Sequence, residues 1–234
     1  RKDSQLFLRQ SESATTEAQG EVERIPEVEA RLKAVREANE RLARLSQQDG
    51  LTGLANRRRF DLDLMRELGR ARRERQPISL VIADVDHFKA YNDANGHPAG
   101  DECLRRIAGA LRSVCRRPLD VAARYGGEEF ALILPDTTEE AARHCAAEAM
   151  RAVAALEIEH RGSVVAGVVT MSFGIAGCVP DADVVADTLL ERADRALYAA
   201  KDSGRNRTVV FSELPLPGLP PPGGEAAAPG VVLH

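Results

Sequence analysis

The strongest constraint on the fold is a short polar interruption between two apolar segments. Residues 124–130 read Arg-Tyr-Gly-Gly-Glu-Glu-Phe, and the apolar segments 121–123 and 130–134 flank them. Because glycine permits a tight turn or the close approach of a ligand, the pattern predicts a β-hairpin with the glycine pair at its tip. Paired carboxylates at such a tip, here Glu128 and Glu129, either bind a cation or repel each other. A solvated hairpin that carries glutamates for solubility remains the alternative on this segment alone.

A second acidic segment favours the cation. The β-branched apolar run Ile78–Ala83 predicts a buried strand, and it ends in Asp84 and Asp86. Aspartates are costly to bury at a strand end unless a cation neutralises them. Asp84 and Glu128 on adjacent strands would supply hard oxygen ligands, which suit Mg²⁺ carried in with a nucleoside triphosphate. An N-cap aspartate at the start of a helix would explain Asp86 and leave Asp84 unexplained.

Further motifs lie on both sides of the hairpin in a fixed order. They are DGLTGLANRR at 49–58, DVDHFK at 84–89, YND, GH and GD at 91–93, 96–97 and 100–101, the hairpin, ADRALYAAK at 193–201 and GRN at 204–206. Over Asp49 to Arg207 this set resembles the GGDEF family of diguanylate cyclases, in its Gly-Gly-Glu-Glu-Phe form. The resemblance does not depend on one motif.

The resemblance implies a reaction, a cofactor and a set of site residues. The reaction condenses two GTP into cyclic di-GMP and two pyrophosphates by attack of a ribose 3′-hydroxyl on an α-phosphate, and the cofactor is two Mg²⁺ or Mn²⁺ ions per active site. The implied metal ligands are Asp84, the Val85 carbonyl, Glu128 and Glu129. Glu128 and Glu129 are also the implied catalytic residues, with Glu129 placed to help ionise the attacking hydroxyl. The implied phosphate-binding groups are Lys201, Arg205 and the backbone N–H groups of His87, Phe88 and Lys89.

The implied guanine-binding residues have a physical basis. Guanine presents N1–H and N2–H₂ donors side by side, so the acceptor-only carboxylate of Asp101 fits them, and Asn92 can donate and accept at the remaining edge. Adenine would leave the carboxylate unpaired. As isolated residues, Asp101 is typical of a helix start, Asn92 of a turn and Lys201 of a solvated last helical turn.

A further tetrapeptide, Arg117 to Asp120, lies at the spacing of the family's RxxD inhibitory site. The resemblance implies that Arg117 and Asp120 bind the product cyclic di-GMP and hold two domains in an unproductive pose. The second arginine that some members supply from the following helix is not obvious, since only Arg151 is near.

The N-terminal part has a helical pattern of its own. Ile25, Val28, Leu32, Val35, Asn39 and Leu42 alternate at spacings of three and four. This is typical of the a and d positions of a short coiled coil, with Asn39 at an a position where it can fix a dimer. An amphipathic helix packed on its own domain is the alternative. Because each half-site would hold one GTP, the family chemistry needs a homodimer, and this helix could transmit a signal from an upstream sensory domain.

Domain boundaries follow from these patterns. Residues 1–20 are predicted to be disordered or an upstream linker, 21–48 the coiled-coil helix, 49–212 the catalytic domain and 213–234 a disordered tail rich in proline and glycine. The chain begins with Arg rather than Met, so we interpret it as a piece of a longer protein.

Composition limits the partners and the cellular location that we expect. A net charge of −4 gives no electrostatic footprint for a nucleic-acid polymer. Four cysteines without CxxC spacing indicate reduced packing residues. No run approaches the about 20 apolar residues that cross a bilayer, so we expect no membrane segment in this chain and a cytoplasmic location.

The predicted fold is α+β. Helices are expected at 56–75, 99–115, 138–156 and 184–202, strands at 78–84, 168–176 and 208–211, and the hairpin at 121–134. The first helix is expected to bury Phe60, Leu64, Met65 and Leu68. Strand, helix, hairpin, helix, strand is the ferredoxin-like plan, and the resemblance likewise implies a central antiparallel sheet with flanking helices, akin to the palm of polymerases and nucleotide cyclases.

Three rival functions come from other classes. A catalytically silent receptor for cyclic di-GMP is the main alternative, although silent members usually lose hairpin carboxylates or the basic pair. A mononucleotide cyclase, or another GTP-binding enzyme on a similar palm, would have no use for the inhibitory tetrapeptide. A structural dimerisation module would leave the acidic hairpin unexplained.

Overall fold

A computed structural model describes residues 31–33, 35–36 and 47–215. The chain divides into two units, 1–47 and 48–234. In the first unit residues 31–33 and 35–36 are helical, and Leu32 and Val35 are exposed. Ile25, Val28, Asn39 and Leu42 lie outside the described residues, so the coiled coil stays a prediction, as do the boundaries of the four predicted segments and the character of the tail.

The second unit is a mixed sheet with helices on both faces. Its strands are β1 (Ala55–Asn56), β2 (Ile78–Val85), β3 (Val121–Arg124), β4 (Glu129–Pro135), β5 (Met171–Cys178) and β6 (Thr208–Val210). Its helices are α1 (Arg57–Glu74), α2 (Phe88–Asn95), α3 (His97–Val114), α4 (Glu139–Ala154) and α5 (Ala186–Asp202), followed by a 3₁₀ turn at Phe211–Glu213.

The strand order is β1-β3-β4-β2-β5-β6. The four central strands pair antiparallel, whereas the short edge strands β1 and β6 run parallel to their neighbours. The predicted ferredoxin-like core is therefore confirmed, and the edge strands make the whole sheet mixed rather than antiparallel.

The central strand β2 is buried on both faces. Successive side chains of a strand point to opposite faces, so Val81 and Ala83 contact one core while Leu80 and Ile82 contact the other. Helices α3 and α4 cover the first face. Helices α1 and α5 cover the second. The same alternation determines whether a polar residue at the end of β2 faces α3 and α4 or faces α1 and α5.

Two local expectations were wrong, and two alternative interpretations are excluded. Residues 88–95 form a helix that was not predicted, because His87 precedes it in a left-handed conformation, with φ of 54°, instead of a Ser, Thr or Asp cap. Asp86 is therefore not an N-cap. Asn92 lies within α2 and Asp101 within α3, so neither is the turn or helix-start residue that its type suggests in isolation. Met65 is 56% exposed because it lies on the outer face of α1.

The described residues include all four cysteines. All four cysteines are free thiols, and Cys103 is buried, as expected for packing residues. In the part of the chain that the structure describes, every helix is too short or too polar to span a bilayer.

Candidate active site

Two strands bring carboxylates together at one end of the sheet. In the antiparallel pairing of β2 with β4, Asp84 lies directly opposite Glu129. Directly opposed residues of an antiparallel pair project from the same face, and by strand parity this face is the one that α1 and α5 cover. Asp84 is only 6% exposed, whereas Glu129 is half-buried.

Helix α5 supplies a cation to this pair. Lys201, in its last turn, places Nζ 2.8 Å from Oδ2 of Asp84. Burial raises the pKa of the Asp84 carboxyl above its ordinary value; the Lys201 ion pair opposes this rise, and the charges of Glu129 and Asp86 add to it. The last-turn lysine is therefore an ion-pair partner at the site rather than a solvated side chain.

The hairpin tip folds Glu129 back over the glycines. The N–H groups of Tyr125 and Gly126 both donate to the Glu129 carbonyl, at 2.8 and 3.2 Å. A Cβ on Gly126 would lie 2.3 Å from Oε2 of Glu129, so a larger residue there would force that carboxylate to move. Glu128 follows the tip, and its carbonyl accepts from the Val85 N–H at 3.3 Å.

The charges at the site fit a divalent cation. Burial, and then the charge of Asp84, raise the pKa of Glu128, and Glu129 adds to the rise while Lys201 opposes it. Across residues 47–215, no three His, Cys, Asp or Glu side chains already converge as a metal centre. Mg²⁺ commonly binds through one or two carboxylates together with waters and substrate phosphates. The donor chemistry therefore fits, with Asp84, Val85, Glu128 and Glu129 as the residues that would hold the ion.

The predicted phosphate-binding groups lie on two elements. Phe88 and Lys89 open α2, and the first N–H groups of a helix have no partner within the helix, so they form a natural anion site. His87 precedes them in a left-handed conformation. On the other side, Arg205 lies in the turn after α5 and donates from Nη1 to the Lys201 carbonyl at 3.3 Å.

The predicted guanine residues lie where α2 meets α3. Oδ1 of Asn92 is buried and has no hydrogen-bond partner within the described structure. A Cβ on Gly100 would lie 1.9 Å from that atom, so Gly100 makes the room that Asn92 occupies. Asp101, the next residue, is exposed. A buried amide oxygen without a donor is costly. A ligand that donated a hydrogen bond to this oxygen would remove that cost.

The tetrapeptide Arg117 to Asp120 forms a turn. Oδ2 of Asp120 accepts from the Arg117 N–H at 3.0 Å, and the Asp120 N–H donates to the Arg117 carbonyl at 3.1 Å. The guanidinium of Arg117 reaches Oγ1 of Thr137 at 3.2 Å. Arg151 lies on the exposed side of α4. The inhibitory role of this turn stays a prediction.

One network at the site was not predicted. Arg124 donates to the Gly127 carbonyl from Nε at 3.1 Å and from Nη2 at 2.6 Å, and its Nη1 donates to Asp49 at 3.2 Å. Thr52 donates to the same Asp49 oxygen from its backbone and its hydroxyl. Burial favours a higher pKa for Asp49, but the Thr52 hydrogen bonds and Arg124 outweigh it and hold the pKa below its ordinary value. The beginning of the unit is thus tied to the hairpin tip.

A comparison with known proteins gives one family. The model of the family described as diguanylate cyclase, GGDEF domain, matches residues 46–207. The diguanylate cyclase VdcA of Vibrio cholerae is 42% identical over 162 residues, which are 69% of this chain and 46% of that protein. The chain therefore spans about half the length of this curated relative.

Solved structures similar to this chain are domains of the same family. The coiled coil and GGDEF domain of DgcB from Caulobacter crescentus, in complex with c-di-GMP, is 36% identical with a TM-score of 0.65, and the match covers 80% of this chain and 97% of that one. An active GGEEF domain of a diguanylate cyclase from Vibrio cholerae is 34% identical with a TM-score of 0.59, covering 68% of this chain and 97% of that one.

Proposed function

The chain belongs to the GGDEF domain family of diguanylate cyclases, and on that premise we propose that it condenses two GTP into cyclic di-GMP with release of two pyrophosphates. The observation that carries the proposal is the pairing of Asp84 with Glu129 across two strands, with Lys201 bonded to Asp84. A structural module would not need three mutually repelling carboxylates at one end of the sheet.

The residues divide the chemical task between them. When bound, the metal ions would neutralise charge on the phosphates and the attacking oxygen. Glu129 would accept the proton of the ribose 3′-hydroxyl, because it is the carboxylate on the accessible side of the Asp84 pair. Lys201, Arg205 and the N–H groups at the start of α2 would hold the triphosphate, so that the α-phosphate lies in line with the attacking oxygen.

Base selection and assembly complete the proposal. The unpartnered Asn92 oxygen and the exposed Asp101 carboxylate would bind the guanine edge. Since one chain holds one GTP, two chains must face each other, and the segment 21–48 would set that homodimer. An upstream sensory domain in the full-length protein would act through the same segment.

The direct experiment is to incubate the protein with GTP and Mg²⁺ and to separate the nucleotides by chromatography, with a chelator as the control. We expect cyclic di-GMP and pyrophosphate, and a rate per protomer that rises with protein concentration. A protein that binds cyclic di-GMP and forms none would be the silent receptor. If no GTP is consumed at any protein concentration, or if the product is a 3′,5′-cyclic mononucleotide, the proposed reaction is wrong.

Gly100→Ala is expected to weaken GTP use in a protein that still folds, although the added Cβ would also lie 3.2 Å from the buried Phe88 ring. The added Cβ would meet the Asn92 side chain at 1.9 Å and displace it, so we expect KM for GTP to rise about tenfold, which corresponds to about 1.4 kcal/mol. Helix propensity alone predicts the opposite for stability, a gain of up to about 1 kcal/mol. Initial rates and thermal unfolding measure the two effects separately.

Gly109→Ala is the matched control. Gly109 lies in the same helix, and nothing lies within 4 Å of its added Cβ. It should share the gain in stability and keep the wild-type KM. An equal KM for the Gly100 and Gly109 variants would show that Asn92 does not contact the base.

Arg117→Ala is expected to relieve inhibition by cyclic di-GMP. Asp120 caps the turn through the backbone N–H of Arg117, so the substitution removes the guanidinium and leaves the turn. Losing one charge-assisted contact costs about 1.5–3 kcal/mol, enough for inhibition at least about tenfold weaker. Product titration against initial rate measures it, with Arg116→Ala as the neighbouring control. Superimposable inhibition curves would mean that the tetrapeptide is only a turn.

A further inference from the structure

A buried carboxylate that the metal and phosphate assignments do not use lies beneath the site. Asp86 is 1% exposed. Its Oδ1 accepts from the Ser172 hydroxyl at 2.7 Å. Its Oδ2 accepts from the Thr170 hydroxyl at 2.7 Å and from the backbone N–H of Asn206 at 3.0 Å. Both oxygens are thus occupied by protein donors, so Asp86 is not a free ligand for a cation.

Asn206, the backbone donor to Asp86, lies in the turn between α5 and β6, and this turn has unusual backbone geometry. Gly204, Arg205 and Asn206 all have positive φ, of 109°, 62° and 47°. Residues other than glycine rarely adopt this left-handed region, and two in succession need fixed partners. The Arg205 N–H donates to the Ala200 carbonyl at 3.0 Å, and the Asn206 N–H donates to Asp86. The Asp86 carboxylate therefore holds the second left-handed residue of the turn.

Two residues at the end of β2 bond to the segment from Lys201 to Asn206. Asp84 and Asp86 are two residues apart at the end of β2, and Lys201 and Asn206 are their respective partners. The two bonds bracket the segment from the end of α5 to the turn, and Arg205 lies between them. A shift of either bond would move the guanidinium of Arg205.

We propose that Asp86 is a positioning residue that fixes the left-handed turn at Arg205, and thereby sets the affinity of the site for the triphosphate of GTP. The proposal deepens the proposed function, on which it rests for the identity of the ligand. Asp86 itself touches neither substrate nor metal, and it acts through the Asn206 N–H.

The test measures binding rather than turnover. The probe is 3′-deoxy-GTP with Mg²⁺, which lacks the attacking hydroxyl, and titration calorimetry gives its Kd. For Asp86→Ala we expect binding about tenfold weaker, corresponding to about 1.4 kcal/mol. Ser172→Ala is the control, because it removes the 2.7 Å bond to the other oxygen of the same carboxylate and leaves the Asn206 bond in place, and its Kd should stay within about threefold of wild type.

A double-mutant cycle separates positioning from general damage. If Asp86 acts through the turn, adding Asp86→Ala to Arg205→Ala should weaken binding by less than about threefold further, because the guanidinium that it positions is already absent. Effects that multiply in full, or an Asp86→Ala variant that loses stability and binds like the Ser172→Ala control, would overturn the proposal.

A second pair of variants does not depend on the folding of Asp86→Ala. Asn206 is exposed. Asn206→Gly keeps the N–H and accepts positive φ, so it should bind as wild type, whereas Asn206→Val disfavours that conformation and should weaken binding by about fivefold or more. Equal affinities would overturn the proposal. A wild-type protein that binds the probe and forms no cyclic di-GMP would refute the proposed function alone, and one that binds no probe would refute both.

Discussion

Glu129→Gln is expected to abolish cyclic di-GMP formation, lowering turnover by at least about 100-fold, while GTP binding stays within about threefold of wild type. The substitution keeps the shape of the side chain and its place over Gly126 but removes the charge and the proton acceptor. Developing charge at the attacking oxygen is a property of the transition state, so the loss falls on turnover more than on binding. Single-turnover rates and Kd for 3′-deoxy-GTP measure the two.

Stability should move in the opposite direction. The charge of Glu129 raises the pKa of Asp84 and of Glu128, which means that the three carboxylates repel one another in the fold. Removing one charge therefore relieves repulsion, and the ligand-free variant should unfold at a higher temperature than wild type. A side chain whose loss stabilises the protein and stops the reaction is held in place for function.

Asp194→Asn is the matched control for this charge effect. Asp194 lies on α5 and interacts electrostatically with Glu129. Burial raises the pKa of the Asp194 carboxyl, and the Glu129 charge raises it further. It has no assigned part in the reaction, so the variant should keep turnover near wild type. Activity of Glu129→Gln within about tenfold of wild type, a difference of about 1.4 kcal/mol, would show that Glu129 has been given the wrong role.

The carboxylate pairing could be predicted because local rules determine it. A buried strand that ends in aspartate and a hairpin tip that ends in glutamate need only antiparallel pairing to bring Asp84 and Glu129 together. Strand alternation and glycine turns are properties of neighbouring residues, and the sequence displays them. The core strands and the four long helices were predicted for the same reason.

The partners of Asp86 could not be predicted because they are distant in sequence. Its bonds reach residues 84, 86 and 120 positions away. No local pattern at Asp86 distinguishes a buried carboxylate with three donors from an N-cap, and the left-handed His87 hides the start of α2. The contact of Arg124 with Asp49 is of the same kind, since it crosses 75 positions.

Gly174 is a further residue whose importance appears only in three dimensions. It lies in β5 beneath α5, and an added Cβ would approach the backbone of that helix, at 2.2 Å from the Ala193 carbonyl oxygen and 2.2 Å from the Leu197 nitrogen. A strand glycine is usually a weakness. Here it lets a helix lie directly on the sheet, and the same helix carries Lys201 to Asp84.

Gly174→Ala should therefore destabilise the protein by about 3 kcal/mol, which lowers the melting temperature by about 6–12 °C. Side chains can change rotamer, but backbone atoms of a packed helix move only if α5 moves as a unit. We also expect weaker GTP binding, because the displaced helix carries Lys201 away from Asp84. Gly167→Ala, with nothing within 4 Å of the added Cβ, is the control for chain stiffening. Thermal unfolding and Kd for 3′-deoxy-GTP decide the matter: a variant as stable as the control would mean that α5 does not lie directly against β5.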